Sequence, residues 1–161
     1  MILTRRALIG SAAALAVAPA FAAEIDTSAL KPITADVVPI GRAERARRLA
    51  KAQELMKRHG IGAVLIEPGA SLTYFTGVHW GRSERLTAAV LPATGTPLVV
   101  TPFFEKPSVE ESLGIPAELR VWQEDESPVA LIAAWARERR IDRGTIGVEE
   151  TVRFFASDGL A

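Results

Sequence analysis

The sequence predicts an α/β domain in which helices pack on the faces of a mixed β-sheet. Three observations point there. A helical period over Arg42 to His59 runs almost directly into a short unbroken apolar run, Ala63 to Ile66, and short helix-to-strand steps are the habit of α/β units. Two further strand-like segments, Leu86–Leu91 and Leu98–Thr101, flank a connection containing Gly95 and read as a hairpin. A Ser127-Pro128 pair then opens an apolar-striped segment that leads to "TIGVEE", a last strand. An antiparallel hairpin combined with crossover helices makes the sheet mixed.

The chain starts outside that domain. "MILTRRALIGSAAALAVAPAFA", residues 1–22, carries Arg5 and Arg6, an Ala-rich apolar stretch and a small-x-small site at Ala20-Phe21-Ala22. This is the layout of a cleaved export signal, not a stable membrane anchor. The paired arginines resemble a twin-arginine signal, with the general secretory route as the alternative, and either route predicts a periplasmic or secreted product. Cleavage leaves 139 residues, with 17 basic against 19 acidic. Neither nucleic acid nor an anionic membrane is indicated as a partner. With no cysteine in the chain, disulfides, thiol catalysis and thiolate metal sites are excluded. Residues 23–41 contain Pro32 and Pro39, lack a helical period and read as an extended lead-in.

The domain then spans residues 42–161. In its first helix Leu49, Ala52, Leu55 and Met56 form an apolar stripe at spacings of three and four. Glu44–Arg48 and Glu54–Arg58 are i,i+4 pairs with the acid on the N-terminal side. Gly60 is placed to stop the helix in a left-handed turn. The basic run Arg42, Arg45, Arg47, Arg48, Lys51 reads as a solvated helix face. The run Ala63–Ile66 lacks alternation, as suits a strand buried on both faces. After the hairpin, a short helix is expected around Ser108–Leu113 and an alternating edge strand at Glu118–Trp122. Ser127 and Pro128 are a natural N-cap and first helical residue. Their helix turns Val129, Ile132, Ala133, Trp135 and Ala136 toward a core. "TVRFFASDGLA" opens another helix. That is an odd place for a natural protein to finish, so a fragment or truncated gene is expected.

The sequence offers little catalytic material. There is no Gly-rich phosphate loop, no H-E-x-x-H and no G-x-S-x-G. Of two histidines, His59 ends the first helix, where a cation suits the dipole. One remaining His with scattered acids is poor material for zinc or a dinuclear centre. Glu124-Asp125-Glu126 precede a helix N-terminus and read as dipole complements, and Glu149-Glu150 as a helix lead-in. No residue is assigned as catalytic or as a metal ligand.

The exception is "SLTYFTGVHWGRSER", Ser71 to Arg85. Paired guanidinium donors at Arg82 and Arg85 match a carboxylate. Trp80 or Phe75 offers an apolar wall, and His79 a hydrogen bond or a proton near neutrality. The competing reading is a loop with its aromatics in the core and its arginines in water.

"RRLAKAQELMKRHGIGAVLIEPGASLTYFTG" followed by "ERLTAAVLPATGTPLVVTPFFE" resembles the N-terminal domain of the creatinase, prolidase and aminopeptidase P family. The family's G-I/L-D-A turn corresponds to Gly60-Ile61-Gly62-Ala63, with Gly62 in place of Asp. Its N-x-x-Y-x-T/S-G segment corresponds to Ser71 through Gly77, with Ser71 in place of Asn, and "TIGVEE" resembles the closing strand. The resemblance covers Arg42 to Leu160. It makes Tyr74 to Gly77 a structural turn after the buried strand.

The resemblance implies a two-domain enzyme. A C-terminal pita-bread domain would hold two divalent metal ions (Mn, Co or Zn) on two Asp, one His and two Glu, and cleave Xaa-Pro bonds. None of those ligands has a counterpart here, so the isolated chain is expected to be inactive. The resemblance also implies that this domain builds a dimer or tetramer. Its loop after the Y-x-T-G segment would touch a peptide with Pro at the second position, through His79, Trp80, Arg82 and Arg85. The alternatives are a stand-alone, non-catalytic periplasmic module, or part of a creatinase-like C–N hydrolase.

Overall fold

In the computed structural model, which describes residues 26–31, 33–141 and 144–160, the helical period from Arg42 becomes α1, Arg42–His59. Gly60 ends it with φ 69°, a left-handed conformation that glycine enters without a Cβ penalty. Both anticipated ion pairs form, Arg48 Nε to Glu44 at 3.0 Å and Arg58 Nη2 to Glu54 at 2.9 Å. The apolar stripe is right except at Leu55, which is 37% exposed. Gln53 turns inward instead and donates to the carbonyls of Pro92 and Gly95, tying the helix to the hairpin turn.

The chain divides into two units, Met1–Val37 and Val38–Ala161. The described part of the first has turns but no helix or strand; Leu30 N bonds Thr27 O and Val37 N bonds Thr34 O. The proposed export signal, residues 1–22, lies outside the described residues. No described helix is long and apolar enough to cross a membrane.

The second unit holds β1 (Ile61–Ile66), α2 (Ala70–Thr76), β2 (Ala88–Pro92), β3 (Leu98–Pro102), a 3-10 turn (Phe103–Glu105), α3 (Lys106–Ser112), β4 (Glu118–Trp122), α4 (Pro128–Glu138), β5 (Thr145–Val148) and α5 (Phe154–Asp158). The sheet order is β4-β3-β2-β1-β5. β2 runs antiparallel to β1 and β3, whereas β1–β5 and β3–β4 are parallel pairs. The mixed sheet is therefore as expected, with β4 at one edge.

Burial follows strand alternation. Leu65, Ala88, Val90, Leu98 and Val100 face α4 and α5, packing with Ile132, Trp135 and Ala156. Ile66, Ala89, Leu91 and Val99 face the other way, with Met56, Leu72 and Val109. Two cores, one on each face, explain why β2 and β3 are buried at every position. Ser127 Oγ accepts from Ala130 N at 3.2 Å, so the N-cap forms as read.

Two expectations need correction. The segment at Tyr74–Gly77 is not a turn after a strand but the end of a helix, α2, stopped by Gly77 at φ 86°. Its period is too short to register as a helix in the sequence, and packing of Leu72 and Thr76 into the core holds it. The basic run on α1 is not uniformly solvated either. Arg45 and Arg48 turn toward α2, and the Arg48 side chain is only 14% exposed.

Candidate functional site

Because β1, β3, β4 and β5 run one way and β2 the other, the ends of four strands and the entry to β2 share one sheet edge. Open α/β sheets place ligand sites at that carboxyl edge. Here it collects Glu67 after β1, the 3-10 turn after β3, Gln123–Glu126 after β4, Glu149–Arg153 after β5 and the loop 78–87 before β2.

The loop starts from a wired anchor. Thr76 Oγ1 donates to Leu72 O at 2.6 Å and accepts from Val78 N at 3.1 Å. Thr73 Oγ1 donates to Val78 O, and Gly114 N donates to Thr76 O at 2.7 Å. Val78 is fully buried. At Gly77 a Cβ would stand 3.0 Å from Gly114 N and 3.1 Å from Ser112 O, both backbone atoms that cannot swing aside. Gly77→Ala is therefore expected to cost at least about 2 kcal/mol, from left-handed strain plus the clash. Urea denaturation checks this, and wild-type stability in the variant would refute it.

Beyond Val78 the four candidate residues part company. His79 and Trp80 enter a groove of about 540 Å³ between α1 and α2, which is also lined by Ile40, Arg45, Arg48 and Tyr74. Trp80 packs against the core on the α1 side, and His79 is exposed. Arg82 and Arg85 instead lie along the carboxyl edge. Arg82 donates to Thr151 Oγ1 at 3.2 Å and stands 4.0 Å from Glu67. Arg85 pairs with Glu84 at 2.6 Å and Glu124 at 3.0 Å, with its guanidinium 5.5 Å from the Phe104 ring. Arg85 and Glu124 also line a smaller cavity of about 330 Å³ with Glu84 and Trp122. Neither simple reading of the loop holds throughout: Trp80 is half-buried, Tyr74 is 47% exposed and both arginines have partners.

The residue that organises this edge was not singled out in the sequence. Glu67 is fully buried. Its carboxylate accepts from Arg153 N and Arg153 Nε, each at 2.8 Å, and Arg153 Nη2 lies 2.7 Å away. Arg153 Nη1 in turn donates to Ser83 O. One buried carboxylate thus holds the start of α5 and, through Arg153, the loop carrying Arg82 and Arg85. The only local signal was a charged residue closing an apolar run before Pro68. Glu149, read as a helix lead-in, also accepts from Ser71 Oγ, tying α2 to the end of β5. Among the described residues, no three His, Asp or Glu side chains gather as a metal would need.

A family model described as the Creatinase/Prolidase N-terminal domain matches residues 48–157. The chain belongs to this family. A probable dipeptidase PepE of Mycobacterium tuberculosis is 40% identical to the family member described here over 91 residues, 55% of this chain and 24% of the relative. An uncharacterized peptidase of Schizosaccharomyces pombe is 25% identical over 143 residues, covering 80% of this chain and 31% of the relative. Among solved structures, the dipeptidase PepE of Mycobacterium ulcerans aligns with a TM-score of 0.61 and 30% identity, over 74% of this chain and 33% of that one. The N-terminal domain of the Xaa-Pro dipeptidase from Lactobacillus brevis aligns with a TM-score of 0.65 over 71% of this chain and 85% of that one, at 21% identity, which bears on the fold alone. The chain spans about a quarter of the length of the curated PepE relatives.

Proposed function

We propose that this creatinase/prolidase N-terminal domain serves an exported, Xaa-Pro-cleaving metallopeptidase by building its oligomer and recognising the end of its substrate. The observation that carries the reading is the family match over residues 48–157, together with longer relatives that are named as dipeptidases. Those names move the preferred chemistry from an aminopeptidase toward a dipeptidase. The substrate's free carboxylate then lies close to the scissile bond.

Arg82 is the better candidate for that carboxylate. A guanidinium has five N–H donors, and one hydrogen bond from Arg82, to Thr151, is found among the described residues. Its charge is only partly offset by Glu67 at 4.0 Å. Arg85 already holds two carboxylates and serves better as a brace for the loop. Trp80, in the groove between α1 and α2, would supply an apolar wall away from that carboxylate. The two divalent ions would belong to a further domain, and no step of their chemistry is assigned to residues here.

In the longer enzyme, Arg82→Ala and Trp80→Ala are each expected to raise KM or lower turnover by about tenfold, the loss of one charge-assisted or stacking contact. Unchanged kinetics in both variants would sink the assignment. The isolated chain supplied with manganese or cobalt is expected to show no Xaa-Pro cleavage, and measurable cleavage would overturn the reading.

A further inference from the structure

The groove between α1 and α2 has a composition that neither fold nor family placement explains. Two guanidiniums and an imidazole line it, with no carboxylate among its lining residues. Its other walls include Ile40, Tyr74 and Trp80. Arg45 forms no ion pair among the described residues. Its Nη1 donates to Ile40 O at 2.6 Å, while its Nε is buried without a hydrogen-bond partner among the described residues. Arg48 lies 4.0 Å from the Tyr74 ring centroid, donates to Tyr74 O at 3.2 Å, and shares its one acid, Glu44, with Arg47. Two half-buried cations with spare donors and an incomplete set of counter-charges leave a local positive excess. Desolvated cations of this kind are stabilised by an anion that brings its own acceptors.

We propose that this groove binds the carboxylate of an amino-acid derivative or short peptide, with Arg45 and Arg48 on the carboxylate and an apolar side chain against Trp80 and Tyr74. The volume falls in the range of small-molecule sites, ~300–1,000 Å³. Guanidinium geometry favours a planar, two-oxygen anion, and the aromatic walls favour a flat apolar group over a bare anion. The site differs from the Arg82 edge and requires neither metal nor a second domain. Its failure would therefore leave the family placement and the peptidase reading intact.

The test is titration of the full 161-residue chain with N-acetyl-L-phenylalanine, followed by calorimetry and by Trp fluorescence. N-acetyl-L-phenylalaninamide and inorganic phosphate serve as comparison ligands. Saturable binding of the acid is expected, about tenfold weaker for the amide, for phosphate and for Arg48→Gln. Trp80→Ala, which leaves both cations in place, is expected to weaken the acid by a similar factor, while Arg137→Gln on α4 leaves it unchanged. Thermal melts identify any variant that fails to fold, and Arg45→Gln then replaces Arg48→Gln. No binding, equal binding of acid and amide, equal binding of phosphate, or indifference to both the arginine and the Trp80 variants would each overturn the proposal.

Discussion

Replacing Arg153 by Met is expected to remove roughly 3–5 kcal/mol of stability, because it strands a buried carboxylate. Glu67 has no exposure of its own, and Arg153 provides its two nearest guanidinium contacts, with Arg82 farther off at 4.0 Å. Domains of this size are stable by only ~5–15 kcal/mol, so the melting temperature should fall by roughly 10 °C or more. The pair need not be favourable as a whole, since burying both charges is itself costly. The double variant Glu67→Gln/Arg153→Met removes both charges while keeping an acceptor for the Arg153 backbone N–H. It should recover at least half of the loss. Amide exchange in residues 81–87 should also quicken in the single variant, because Arg153 holds Ser83. A loss below about 1 kcal/mol, or a double variant as unstable as the single, would show that this pair does not organise the edge.

Trp135→Ala should cost a similar amount, roughly 3–5 kcal/mol, the range for deleting a buried aromatic. Trp135 is fully buried in the core facing α4. Its indole N–H donates to Glu118 Oε2 at 3.0 Å, and Glu118 also accepts from Arg120 at 2.6 Å and Arg139 at 2.7 Å. The Arg139 guanidinium lies 5.3 Å from the Trp135 ring. Trp135→Phe keeps most of the burial but removes one donor, at about 1 kcal/mol. Burial pushes the Glu118 carboxyl up, but hydrogen bonds from Trp135, Arg120 and Arg139 outweigh it and hold the group below its ordinary value. A carboxylate depressed in the folded state contributes fully above its unfolded value, near ~4.3, and that contribution is lost as pH falls through the folded one. The stability gap between Trp135→Phe and the unmodified chain should therefore be full at pH 7 and shrink under acid. Urea denaturation at both pH values reads this directly, and a gap that stays constant would remove Glu118 from the account.

The elements that could be read in the sequence are those whose cause is local. The 3.6-residue period of α1, the Gly60 stop, the Ser127 cap and the largely apolar runs of β1, β2 and β3 are each written within a few neighbouring residues. A seven-residue helix such as α2 is not, because it is too short to nucleate alone and exists by docking Leu72 and Thr76. Gln53 turns inward in place of the expected Leu55, because the Pro92 and Gly95 carbonyls that it bonds are about forty residues away.

The candidate site divides along the same line. Sequence alone marked the 78–85 loop as chemically unusual and placed it in a mixed α/β sheet, since residue type and hydrophobic period are properties of the chain itself. Tertiary structure alone decided that His79 and Trp80 join Arg45 and Arg48 in one groove while Arg82 and Arg85 turn to the sheet edge. It also decided that Glu67 holds that edge through Arg153, a partner 86 residues distant. The physical reason is that an ion pair in the interior depends on which surfaces the sheet brings together. Strand order and direction set that meeting, and no local pattern encodes it.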